Sequence, residues 1–191
     1  MDARDKRDVT SALVDNLLRF VIGGGLLATL VIAPNALQVF DKPVQRYLKT
    51  LDEKARQREL RRVISYMKYR DFIADNYKHG LQVTKKGHKR VKQHDFDNLT
   101  LKRPSRWDKK WRLVFFDIPE NHKSGRDALS YKLRTLGFKP LQKSVWIHPF
   151  PCRDEIVLVC QTYRVAKYVT YIETAHIDNS HSLQKKFSSI L

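Results

Sequence analysis

The sequence predicts an α+β chain: an amino-terminal winged helix-turn-helix, then a ferredoxin-like domain of β-α-β-α-β order with a split middle strand. Three observations lead there. Helical periodicity runs through the first part as far as Arg70. Two short apolar runs about a turn follow it, Phe72 to Tyr77 and Leu81 to Thr84. After Lys110, extended apolar runs alternate with amphipathic segments.

Val9, Leu13, Leu17 and Val21 recur at helical spacing, so a first helix is expected from about residue 9. Gly23, Gly24 and Gly25 weaken or bend it. Phe20 to Phe40 is 21 residues without a charge, which is membrane-span length. Its glycines, Pro34, Asn35 and Gln38 favour instead a buried helix pair broken near Pro34, with the membrane as the alternative. The mixed-charge start, Asp2 to Asp8, makes a poor signal peptide. Asp41 before Pro43 opens a second helix, with Val44, Leu48 and Leu51 on one face.

Residues 53–70 give the sharpest helical pattern. Leu60, Val63, Ile64 and Met67 fall on one face; Lys54, Arg58, Arg61, Arg62, Ser65 and Tyr69 project from the other. Two strands about a Lys78-His79-Gly80 turn follow, then Lys85-Lys86-Gly87 and a short basic helix. In a winged helix-turn-helix the third helix reads the major groove and the hairpin is the wing. The bland alternative is a solvated basic helix face. The domains are expected at 1–92 and 111–191, joined by a linker at 93–110 around Pro104.

Trp111 to Asp117 is a strand apolar on both faces, so each face needs a cover. Its own helices supply one; a second copy of the sheet is expected to supply the other, making a homodimer. Ser124 with Asp127 resembles a capping box, and Leu129, Leu133 and Leu136 form one helical face ending at Gly137. Phe138 to His148 reads as extended with a break at Pro140. Residues 153–164 fit either a helix or a strand. A strand over Tyr168 to Ile177 and a helix over Ser180 to Phe187 complete the domain.

Lys+Arg 37 against Asp+Glu 20 gives +17 and a pI near 10. Between Lys54 and Arg112 there are 19 basic and 6 acidic residues, so +13 of the +17 sits there. Such a field favours polyanions, nucleic acid first. Cys152 and Cys160 make neither a disulfide framework nor a zinc site, and the histidines lack metal-ligand spacing. A reducing, cytoplasmic setting is expected.

WRLVFFDIPE, then a basic helix, then LGFKPLQKSVWIHP, resembles the central domain of PaaX-type transcriptional repressors. That domain is itself similar to the small ferredoxin-like CRISPR-associated endoribonuclease that partners the CRISPR integrase. The shared pattern is a strand ending in Asp117, a helix near Arg126, a Gly137-Phe138 turn, and Gln142, Ser144, Val145 and Trp146 on a strand. The resemblance covers about residues 107–178. It implies an amino-terminal winged helix, in agreement with the periodicity. PaaX-type proteins usually continue into a further carboxyl-terminal domain, which this chain is expected to lack.

The expected function is a dimeric, sequence-specific binder of double-stranded DNA that regulates transcription and needs no cofactor. Its contacts would come from Lys54, Arg58, Arg61, Arg62, Ser65, Tyr69, Lys78, Lys85 and Lys86. The alternative is a Mg²⁺-dependent endonuclease. There Asp117 would be catalytic, and the resemblance implies that it meets its twin across the dimer and shares a metal. A third reading is a CRISPR-adaptation scaffold that binds duplex without cutting.

Overall fold

The computed structural model describes residues 3–27, 34–76 and 80–191. The chain forms two compact units, Met1–Asp97 and Asn98–Leu191.

In the first unit, helix α1 (Ala3–Ile22) ends where Gly23 to Gly25 begin, and a 3-10 turn spans Pro34–Val39. The expected helix pair broken near Pro34 turns on residues 28–33, which lie outside the described residues. Among the described residues, no helix is long and apolar enough to cross a membrane. Helix α1 begins earlier than the apolar repeat, because the repeat reports only its buried stripe. Leu13, Val14, Leu17 and Leu18 form that stripe, all fully buried.

Helix α2 (Lys42–Lys49) buries Val44 and Leu48. Helix α3 (Glu53–Tyr69) buries Leu60, Val63 and Met67. These residues share one core with Phe72, Ile73 and Val91. Strands β1 (Ile73–Asn76) and β2 (Gly80–Val83) pair antiparallel. Tyr77 to His79, including the expected DNA contact Lys78, lie outside the described residues. Helix α4 (Lys85–Asp97) follows, so residues 93–97 are helical rather than linker. Phe96 is buried, and Gln93 donates to Asp97 one turn on at 2.8 Å.

The second unit is a four-stranded antiparallel sheet in the order β4-β5-β3-β6. Its strands are β3 (Trp111–Phe116), β4 (Lys139–Gln142), β5 (Val145–His148) and β6 (Val169–Thr174). Helix α5 (Lys123–Thr135) joins β3 to β4, and α6 (Arg153–Thr162) joins β5 to β6. This is the ferredoxin-like plan.

Helix α5 starts at Lys123, and no side chain caps it, so Ser124 and Asp127 do not form the expected capping box. Its end follows the sequence reading. Gly137 adopts φ 90°, its N–H reaches the Arg134 carbonyl at 3.0 Å, and the Phe138 N–H reaches Leu133 at 3.0 Å. That pair of bonds is a Schellman cap, which glycine fits without a Cβ clash. The ambiguous segment is helix α6. Cys152 precedes it and Cys160 lies in its last turn; burial pushes their thiols up to about 12 and about 11, so neither is a ready nucleophile.

Strand β3 is buried on both faces, and part of the second cover comes from the chain itself. Helix α7 (Ser180–Lys186) brings Leu183 and Phe187 against Trp111, Leu113 and Ile147. That face therefore does not by itself demand a dimer. Beyond α7 it leaves Phe115 and Val145 half-buried and Ile172 44% exposed.

Candidate nucleic-acid interface

Helix α3 is fixed first by its start. Asp52 accepts a hydrogen bond from the Ala55 N–H at 2.7 Å, a side-chain N-cap, and Glu53 favours the positive helix end. Burial of Leu60, Val63 and Met67 then sets the rotation, which leaves Lys54, Arg58, Arg61, Arg62, Ser65 and Tyr69 exposed. Tyr69 is 86% exposed, unusual for an aromatic ring with no partner to cover it.

Arg62 differs from its neighbours. Its Nε and Nη2 donate to Glu59 at 2.8 and 2.7 Å, and Nη2 also reaches the Thr10 hydroxyl at 3.1 Å. The Arg62 hydrogen bond holds the Glu59 carboxyl below its usual range. Arg62 thus ties α3 to α1, and Lys54, Arg58, Arg61, Ser65 and Tyr69 form the unengaged row.

The end of α3 is joined to α4 through a small knot. Asp71 takes φ 58°, and the Phe72 N–H returns to the Met67 carbonyl at 2.9 Å. The Thr84 hydroxyl donates to the Asp71 carbonyl at 2.6 Å and accepts from the Gly87 N–H at 3.1 Å, capping α4. The Phe72 ring is flanked by three cations: Arg70 at 5.9 Å, Lys86 at 5.8 Å and Arg90 at 5.2 Å. The ring thus draws the basic end of α3 and the basic start of α4 together. Lys85 and Lys86 are exposed in the first turn of α4, where cations oppose the helix dipole at a cost of about 0.3–1 kcal/mol each.

Sequence reasoning missed Arg70 and Arg90. Arg70 directly follows the periodic face and could have been included. Arg90 could not, because its main partner is remote. Its Nε and Nη2 donate to Asp15 of α1 at 2.7 and 3.1 Å, and Nη2 also reaches the Ser11 hydroxyl at 2.9 Å. Asp15 is 2% exposed. Arg19 of α1 adds bonds to His94, at 2.9 Å, and to Asp95. This polar seam fixes α4 on α1.

Asp117 follows the last residue of β3 and is exposed. Its N–H donates to the Tyr168 carbonyl at 3.0 Å, and its carboxylate bonds to no described group, so it does not cap the following loop. Glu120 pairs with Arg126 at 2.8 Å. Ser144 lies in the turn between β4 and β5 rather than on a strand as expected, and its carbonyl accepts from the Phe116 N–H at 3.0 Å. Gln142 is exposed, while Trp146 is buried with Arg134 5.9 Å over its ring. Among the described residues, no group of three or more His, Cys, Asp or Glu side chains is placed to hold a metal ion.

Residues 104–185 match the family model described as the PaaX protein central Cas2-like domain. No curated protein and no solved structure matches the chain.

Proposed function

We propose that this chain, which carries the central domain of PaaX-type proteins, is a transcriptional regulator that binds double-stranded DNA through α3. Read this way, α1 to α3 and the β1–β2 hairpin are a winged helix-turn-helix. The observation that carries the reading is the exposed row Lys54, Arg58, Arg61, Ser65 and Tyr69, held opposite a fully buried face in a chain of charge +17. Arg58, Arg61 and Ser65 sit at successive turns, where an inserted helix meets base edges. Lys54, Lys85 and Lys86 contact phosphates, joined by Arg70. Two copies pair through the sheet face left open at Phe115, Val145 and Ile172, which would set the half-site spacing.

The test is binding of the purified chain to labelled duplex across a salt series, with and without Mg²⁺, followed by a denaturing gel. Roughly 6–10 phosphate contacts should cost about a thousandfold or more in affinity between roughly 50 and 200 mM salt. Intact DNA, and loss of tight binding in Arg58→Ala with Arg61→Ala, support the regulator. Mg²⁺-dependent fragments that vanish in Asp117→Asn would replace it with a nuclease.

A further inference from the structure

We propose a second duplex-binding element in the segment that leads into β3: a pinned basic strap, residues 102–110, that grips the phosphate backbone. The inference rests on the DNA-binding reading above and adds a site outside α3. The segment carries Lys102, Arg103, Arg106, Lys109 and Lys110, all exposed, against one acid, Asp108.

Asp108 does not offset those cations. Its carboxylate is bound by Arg112, which is itself 2% exposed, with Nη1 donating to Oδ1 at 2.7 Å. That bond holds the Asp108 carboxyl down at about 2. The five remaining cations therefore present a single sign, whereas a surface built only for solubility mixes both.

The strap is irregular in conformation, and its second half, Trp107 to Lys110, is tightly held. The Trp107 ring packs edge-on against Trp111 at 5.0 Å. Its indole N–H donates to the Pro149 carbonyl at 2.9 Å and to the Lys110 carbonyl at 3.1 Å. Arg112 Nη1 donates to the Lys110 and Pro149 carbonyls at 2.8 and 2.7 Å, and the Lys110 N–H returns to Asp108 Oδ1 at 3.1 Å. Lys109, at the apex, has φ 60°. A side chain there is strained in a way that glycine would avoid.

A cation carried on pinned backbone reaches an anion with no further backbone ordering, so binding costs only its side-chain entropy. Duplex DNA fits better than a lipid surface. Phosphate contacts ask only for ordered cations, and none of the exposed large apolar side chains lies on the strap to enter a bilayer.

The experiment uses the full chain and a fluorescein-labelled duplex of random sequence. One variant combines Lys102→Gln, Arg103→Gln, Arg106→Gln, Lys109→Gln and Lys110→Gln. A second exchanges Lys and Arg at the same positions and keeps the charge. Each lost phosphate contact should lower the slope of log affinity against log salt by about 0.9, so the neutral variant should lose about 3–4.5. The charge-conserving variant should keep the wild-type slope. An unchanged slope in the neutral variant overturns the strap while leaving the α3 reading intact. So does an equal loss in the charge-conserving one, or stronger strap-dependent binding to anionic vesicles than to duplex. If the wild-type chain binds no duplex even at low salt, the α3 reading fails and the strap with it.

Discussion

Arg90→Met removes the cation that closes on Asp15 and leaves a carboxylate with 3% of its side chain exposed. Breaking a buried pair from one side costs about 3–5 kcal/mol, because the orphaned charge stays desolvated. His94 Nε2 lies 3.8 Å from the same carboxylate and softens the loss, so about 3 kcal/mol is expected. Asp15→Leu should cost less, about 1–2 kcal/mol, because Arg90 is 26% exposed and can turn toward water. The double variant should cost less than Arg90→Met alone, since it leaves no buried charge. The assay is urea unfolding followed by far-ultraviolet circular dichroism, which reports helices of both units, the longer ones in the first. All three tryptophans, Trp107, Trp111 and Trp146, lie in the second unit, so fluorescence gives a separate reading. A shift of about 3 kcal/mol corresponds to more than about 10 °C for a unit of this size. Equal costs for the two single variants, or a fully additive double, would refute the reasoning.

Further outcomes can be stated together. Gly87→Ala should destabilise by about 1–3 kcal/mol in the same unfolding assay, because its Cβ would stand 2.3 Å from the Phe72 carbonyl oxygen, which cannot move freely. Arg164→Gly should stabilise by about 0.5–1 kcal/mol in a thermal melt, since Arg164 holds φ 57° at the end of α6. His148 is buried and held neutral, its pKa pushed down from 6.5 to about 4 mainly by desolvation. The unfolded chain takes up that proton first, so stability should be full above about 6.5 and fall as the pH drops toward 4, by up to about 3 kcal/mol. Tryptophan-monitored melts should show that slope, and His148→Phe should flatten it.

The parts legible in the sequence were those written in local periodicity. Leu60, Val63 and Met67 recur every three or four residues, so the orientation of α3 could be read directly, and with it the exposed row that includes Arg58 and Arg61. Gly137 marked the end of α5 because a left-handed cap has a strong residue preference. What escaped depends on partners far apart in the chain. Asp15 and Arg90 are 75 positions apart. Thr10 is 52 positions from Arg62, so an apparent reading residue turned out to be tied down. The Trp107 to Lys110 turn looked like linker because its fixing bonds run to Pro149. Helix α7 is legible in the sequence, but its place over Trp111 and Leu113 carries no sequence signature.

The most direct test of DNA reading by α3 is enrichment of duplexes from a random library, comparing the wild-type chain with Arg58→Ala, Arg61→Ala. The expected result is a defined motif containing guanines for the wild type, since arginine pairs best with the guanine edge in the major groove. The variant should still hold DNA at low salt but enrich no motif. Enrichment of the same motif by both proteins, or of none by the wild type, would contradict it.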